Sequence, residues 1–332
     1  MDLNIIWFIL IAVLFTGFFI LEGFDYGVGM LMLFRSQDER TQFIKAIGPV
    51  WDANEVWMIT AGGASFAAFP DFYASMFSTF YLALFLMLLA LIMRGVAFEL
   101  RGKIKSSDWV NFWDGAIIFG SFVPALLWGV AMANLLQGLP INSQMHYTGN
   151  FFDLLSPFTI IGGLFFVSLF MFHGANFLSI KLADERLLLE LKRDARALGV
   201  AAWTSYLCFV TVAVFDTDVM SKASGVMIFA AAMGILSAGW SFVKEGKTMA
   251  AFVTTSVTIA VTIIGLFVAL FPRLMVSSLN PEWSLTIYNA ASTPYTLTIM
   301  TIAAVVLVPV VLIYQGWTYK IFKERVKPIN RG

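Results

Sequence analysis

Nine apolar runs of membrane-spanning length, joined by short polar connections, leave this chain little choice but a bundle of helices in lipid. A span needs about 20 apolar residues to cross roughly 30 Å of hydrocarbon, and in lipid each segment must satisfy its own backbone hydrogen bonds. The runs predict helices near 4–34, 46–68, 72–99, 108–136, 155–181, 197–216, 222–243, 248–272 and 294–322. The expected class is therefore an all-α membrane protein of nine transmembrane helices. The composition agrees, with 59% hydrophobic and 13% charged residues, against roughly 45–50% and about 25% in soluble domains. A formal net charge of zero gives no bulk field for nucleic acid. The single cysteine, Cys208, excludes an intrachain disulfide. The stretch Met1 to Asn4 has no basic residues, and the run after it is too long for a signal peptide, so it is expected to remain as a helix.

The second run is the least apolar. It carries Asp52, Asn54, Glu55 and the pair Gly62-Gly63, so it can lie in a membrane only if neighbours shield it. The charge-rich polar stretch from Ala183 to Arg196 is read as a connection after the fifth helix. It divides the chain into a first unit, 1–182, and a second, 183–332.

Basic residues test this count independently. With the N-terminus outside, the inner segments hold Arg35, Arg40 and Lys45; Arg101, Lys103 and Lys105; Lys181, Arg186, Lys192, Arg193 and Arg196; Lys244 and Lys247; and Lys320, Lys323, Arg325, Lys327 and Arg331. These are 18 of the 21 Lys and Arg, while only Lys222 and Arg273 fall outside and Arg94 lies within the third span. Such asymmetry is the positive-inside pattern of an odd helix count with a cytoplasmic C-terminus.

Five acids fall inside predicted spans: Glu22, Asp25, Asp52, Glu55 and Asp114. A charge at a span centre costs about 2.5–3.5 kcal/mol on insertion scales, so these side chains are expected to face the bundle interior. Glu22 and Asp25 are three apart, as are Asp52 and Glu55, which puts each pair on one helical face. The orientation places all four, with Arg94, Asp114 and His173, in the cytoplasmic half. One reading is a proton or ion path entering from the cytoplasm, with Arg94 as fixed counter-charge. The other is a structural network in which Arg94 and the acids lock the bundle. Five acids to one base favours the first, since the excess must be protonated, hydrated or shared with a partner. An ion-coupled secondary transporter with a buried acidic cation site is the alternative from another class, although no inverted repeat supports it.

His146, in an outer loop, and His173, in the fifth helix, are the only histidines, so the chain has no pair for a bis-histidine haem. His173 is expected to be a hydrogen-bonded interior residue or to face a neighbouring subunit. There is no phosphate-binding loop, dinucleotide fingerprint, metal-spaced cysteine set or Ser/His/Asp set. Gly23 to Gly27 forms a GxxxG pattern suited to tight helix packing, and Gly174 likewise permits close approach.

Several segments together resemble subunit II of cytochrome bd-type quinol oxidases. They are Gly23-Phe24-Asp25-Tyr26-Gly27-Val28-Gly29, Trp51-Asp52-Ala53-Asn54-Glu55-Val56-Trp57 with Thr60-Ala61-Gly62-Gly63-Ala64, Phe122-Val123-Pro124, Asn134-Leu135-Leu136-Gln137-Gly138, Tyr147-Thr148-Gly149-Asn150-Phe151-Phe152 and Val308-Pro309. The similarity runs in order over nearly the whole chain. It implies two four-helix bundles plus a peripheral ninth helix in a bacterial inner membrane. It also implies a heterodimer with a haem-bearing subunit I, which carries b-type and d-type haem and the quinol-oxidising loop, with small single-helix accessory subunits as further partners. The substrate implied is a membrane quinol, menaquinol or ubiquinol, and oxygen is reduced to water. No cofactor is expected on this chain alone beyond, as in some members, a bound quinone. The resemblance associates Asp25 and Asp52 with a proton route and with haem-site integrity. Glu22 and Glu55 join them on the expected proton pathway, and Arg94, Asp114, His173 and Trp51 form the expected supporting network. Glu22 stands where aspartate is common and Ala53 where glycine is, and neither change removes a proton carrier. Asp52, flanked by Trp51 and Trp57, is expected to lie deeper than Asp25, with Asp25 nearer the entrance.

Overall fold

A computed structural model describes residues 2–218 and 223–328, so Lys222 and Arg331 lie outside the described residues. The helices are α1 (Leu3–Leu31), α2 (Gln37–Ile47), α3 (Trp51–Ala68), α4 (Pro70–Thr79), α5 (Tyr81–Leu100), α6 (Ser107–Gln137), α7 (Pro157–Lys181), α8 (Glu185–Asp216), α9 (Ala223–Glu245), α10 (Thr248–Leu270) and α11 (Pro294–Ile321). A short antiparallel ribbon, β1 (Arg273–Met275) with β2 (Leu285–Thr286), sits in the connection before α11. Local chemistry sets the starts. Ser156 and Thr293 cap α7 and α11 through their hydroxyls, each followed by proline at the first helical position.

Among the described residues, eight helices are long and apolar enough to cross a membrane, so the chain is an all-α membrane protein. The expected second span is the one that falls short. Its helix breaks at Gly48 to Val50, and the part from Trp51 onward, α3, has 18 residues, about 27 Å at 1.5 Å per residue. Its polar residues and paired glycines dilute its apolar content. The expected third span is also divided, at Phe80, into α4 and α5.

The polar stretch after Ala183 is not a connection but the first turns of α8. Asp184 caps it, Arg186 and Glu190 pair at 3.2 Å one turn apart, and Leu187, Leu191 and Ala195 are buried at helical spacing. Arg35 fastens this segment beneath α1 through Glu190, at 2.9 Å, and Asp194. The density of charge there disguised an amphipathic helix that extends beyond the lipid-crossing part.

α1 is the axis of the molecule. It touches α3, α6, α7 and α10, and from Glu22 to Met32 every residue is buried. Gly27 and Gly174 let α1 and α7 meet backbone to backbone: a Cβ at Gly174 would lie 2.6 Å from the Gly27 carbonyl carbon. Because α1 contacts elements from both expected units, the packing crosses the boundary at 182.

Hydrogen bonds define two ends. At one, Arg40 and Arg101 reach Asp114, and the C-terminal tail is tied to the end of α7 by Val326 N–H donating to the Lys181 carbonyl at 2.7 Å. At the other, Ser292 N–H donates to the Ala68 carbonyl at 2.9 Å, Ser75 Oγ to the Met145 carbonyl at 2.6 Å and Ser277 Oγ to the Ile141 carbonyl at 2.7 Å. Trp7 Nε1 donates to the Leu297 carbonyl, 3.2 Å away, near the start of α11, so the two ends of the described chain lie at opposite ends of the bundle.

Candidate functional site

The last third of α1 carries Glu22 and Asp25 into the interior, where both are 0% exposed. α5 brings Arg94, also fully buried, against them, and its Nη1 donates to Glu22 Oε1. Glu55 of α3 approaches the same nitrogen at 3.9 Å while keeping 21% of its side chain exposed. Aromatic rings enclose the guanidinium: Tyr26 at 4.9 Å, Phe98 at 5.7 Å and Trp51 at 6.0 Å from its central carbon. A cation so placed is held by the ring faces as well as by the carboxylates.

Asp25 is held differently. Asn54 Nδ2 donates to Asp25 Oδ2 at 2.7 Å, while Asn54 Oδ1 accepts from the Tyr319 hydroxyl at 2.8 Å and from Gln315 Nε2 at 3.4 Å. Gln315 Oε1 in turn accepts from Trp57 Nε1 at 2.8 Å. This chain of hydrogen bonds fastens α11, whose outer surface is otherwise largely exposed, onto α3 and α1. Glu22 Oε2, Asp25 Oδ1, the Tyr26 hydroxyl and Arg94 Nε and Nη2 are buried with no partner in the described chain. Orphan polar atoms concentrated in one spot mark a site selected for something besides stability.

The expected residues therefore separate. Glu22, Asp25, Glu55, Arg94 and Trp51 come together. Asp52 does not: it lies on the exposed side of α3 with Val56 and Ile59, and Asn54 takes the inward position. The expected depth order is reversed, since Asp25 is the interior acid and Asp52 the outer one. Helix phase is the reason: Asn54, Ala61, Ser65 and Ala68 form the buried stripe, and Asp52 falls off it. Asp114 belongs to a separate knot, with Arg101 Nε at 2.5 Å and Arg40 Nη1 at 3.3 Å, and has no bond to Arg94.

His173 stands apart as a strut. Its Nε2 must donate to the Ile20 carbonyl at 3.1 Å, its Nδ1 lies 2.7 Å from Thr255 Oγ1, and its ring stacks on Phe252 at 4.8 Å. Both nitrogens are thus committed, and His146 is exposed in the 138–156 loop at the opposite end. These histidines do not fit a haem held by this chain.

Sequence reasoning overlooked Tyr26, Gln315, Tyr319, Arg40 and Arg101 as members of these networks. Gln315 and Tyr319, one turn apart just after the apolar run 302–313, were the available signal.

Residues 3–322 match the cytochrome bd terminal oxidase subunit II family. Two relatives agree. The cytochrome bd ubiquinol oxidase subunit 2 of Bacillus subtilis (strain 168) is 39% identical over 329 residues, covering 98% of this chain and 97% of the relative. The cytochrome bd-I ubiquinol oxidase subunit 2 of Escherichia coli (strain K12) is 39% identical over 357 residues, covering 96% and 93%. This chain belongs to the cytochrome bd terminal oxidase subunit II family. A chain of the bd oxidase from Geobacillus thermodenitrificans shares the fold, with a TM-score of 0.74, 16% identity and coverage of 97% of this chain and 99% of that one. As a subunit II, the chain is part of a quinol-oxidising oxidoreductase, and the transporter alternative finds no support. The buried acid cluster is thus a feature of an oxidase subunit, and neither histidine belongs to it.

Proposed function

We propose that this chain is the scaffold and proton-access subunit of a membrane complex that oxidises menaquinol or ubiquinol and reduces oxygen to water. The partner is a haem-bearing subunit I, with room on the lipid-facing helices for single-helix accessory subunits. The observation that carries the proton role is the cluster of Glu22, Asp25 and Glu55 around one guanidinium, with orphan polar atoms at its heart. Reduction of oxygen consumes protons, and carboxyl groups spaced along a protein interior are the groups that relay them. The burial pattern supports the order Asp52, Glu55, then Glu22 and Asp25. Asp52 sits in the first turn of α3, where the positive helix end favours an acid. Arg94 anchors the route and keeps its carboxyls in register.

On the same reading α3 is a ninth crossing, short because protein rather than lipid covers it. Two helical bundles, 1–182 and 183–332, then share α1 as their common wall, with α11 at the periphery. The exposed side of α3 is the natural seat for subunit I, since an acid turned toward lipid is costly. The basic end faces the cytoplasm of a bacterial cell and the N-terminus lies outside. Some members hold a quinone, and the same reading allows one here.

The test is quinol-driven oxygen uptake by the assembled complex, normalised to its haem content. Asp25→Asn and Glu22→Gln should slow turnover by about tenfold or more, and Asp25→Glu should retain more than Asp25→Asn because it keeps a titrating group. Asp52→Asn should have a smaller effect, as expected of an outer residue. Wild-type turnover per haem in Asp25→Asn and Glu22→Gln would refute the relay. Parallel loss of haem and activity would make these acids structural.

A further inference from the structure

Away from the acid cluster, at the basic end of the bundle, the end of α7, the start of α8, the α9–α10 turn and the C-terminal tail line an open cavity of about 420 Å³. Asn176 lies at its floor, only 2% exposed, and its amide nitrogen has no hydrogen-bond partner in the described chain. Ser179, Lys192 and Arg325 also line it, and Glu185 contributes one carboxylate, so cations exceed anions on the wall. A buried, unpaired donor beneath two cations is the equipment of an anion site.

The two cations come from different elements, Lys192 from α8 and Arg325 from the C-terminal tail. Lys192 passes over Gly246, where a Cβ would lie 3.2 Å from its Nζ; Gly246 also has φ +77, so this turn is suited to glycine on two counts. Arg325 is set by the tail. Lys181 Nζ donates to the Phe322 and Glu324 carbonyls, and Ala183 N–H donates to the Val326 carbonyl at 3.0 Å, fixing the backbone on either side. Thr248 brings the N-terminus of α10, a helix of 23 residues, to the same wall, and the capping residue Lys247 gives it no side-chain cap.

We propose that this cavity binds a phosphate group at the membrane surface, with Asn176 and Ser179 beneath it and Lys192 and Arg325 clamping it. Of the two sources, an anionic phospholipid headgroup and soluble phosphate, the surroundings favour the lipid. Leu188 and Val243 line the same cavity, and Leu189, also on its wall, is 72% exposed, an apolar margin suited to a glycerol backbone and acyl chain.

The test uses the purified, delipidated complex. Its thermal unfolding midpoint is followed against short-chain phosphatidylglycerol, matched phosphatidylcholine and inorganic phosphate, with mass spectrometry of lipid retained under mild ionisation. Phosphatidylglycerol should raise the midpoint of the wild type, and its half-saturating concentration should rise roughly tenfold or more in Lys192→Ala/Arg325→Ala. Asn176→Leu should weaken it too, while Lys103→Ala, off the cavity wall, should not. If the paired cation variant is unstable, Arg325→Gln alone carries the test, because that side chain is on the exposed tail. A shift given in full by inorganic phosphate, lost in the same variants, supports the site and assigns it to the soluble anion. No lipid or phosphate effect in the wild type, or equal effects in wild type and variants, overturns it.

Discussion

Arg94 makes its ion pair with Glu22 where neither side chain touches solvent, and this fixes how each responds to loss of the other. Removing Arg94 leaves the buried Glu22 without its cation, and removing Glu22 leaves Arg94 only the more distant Glu55 at 3.9 Å; breaking a buried pair costs about 3–5 kcal/mol. Glu22→Gln and Arg94→Gln should each lower the unfolding midpoint of the complex strongly, and the combined variant should recover much of the loss. Strictly additive losses would mean that the pair contributes no coupling. The chemical identity of this site was legible in sequence, because an arginine and several acids within apolar runs must find one another. Their facing was not legible. Asp52 and Asn54 are two residues apart, and only the stripe Asn54, Ala61, Ser65, Ala68 shows which turns inward. Small residues give that stripe so little hydrophobic contrast that charge outweighed it. The partners of Asp114 were likewise not legible: Arg40 and Arg101 read in sequence as charges of the polar connections, and only the packing brings both onto one carboxylate.

Among the elements, the α1–α7 seam is the least forgiving. A side chain at Gly27 would strike the backbone of Phe170, which cannot withdraw without moving α7, and overpacking of this kind costs about 1–3 kcal/mol or more. Gly27→Leu should therefore abolish or severely lower the yield of folded complex. Gly234→Ala in α9, where a Cβ meets nothing within 4 Å, should unfold within about 0.5 kcal/mol of wild type or above it. Equal behaviour of the two variants in a thermal melt would dismiss the seam. Most helices were legible from apolar runs, and those at 107–137, 157–181, 248–270 and 294–321 lie within a few residues of expectation. α2 and the first turns of α8 were not, because they are amphipathic helices in polar segments. Their signals were a capping box at Ser36 and Glu39 and the spacing of Leu187, Leu191 and Ala195.

For the whole molecule, the distribution of basic residues predicts which end faces the cytoplasm, a question of insertion rather than packing. Ser143 lies exposed in the loop at the end opposite the basic one. With Cys208 replaced by serine, Ser143→Cys should react with an impermeant thiol reagent in intact cells. Labelling only after permeabilisation would invert the orientation. The path of the chain through the bundle also orders its synthesis in time. Glu22 leaves the ribosome 72 residues before Arg94, a delay on the order of 4–14 s at ordinary translation rates. Throughout that interval α1 carries two carboxyl groups without the guanidinium of Arg94 that they pack against. Its Leu, Ile and Phe residues, each favouring insertion by about 0.3–0.6 kcal/mol, must hold it in the membrane. A newborn chain stalled before α5 would thus hold both acids of α1 in lipid without the counter-charge that Arg94 later brings.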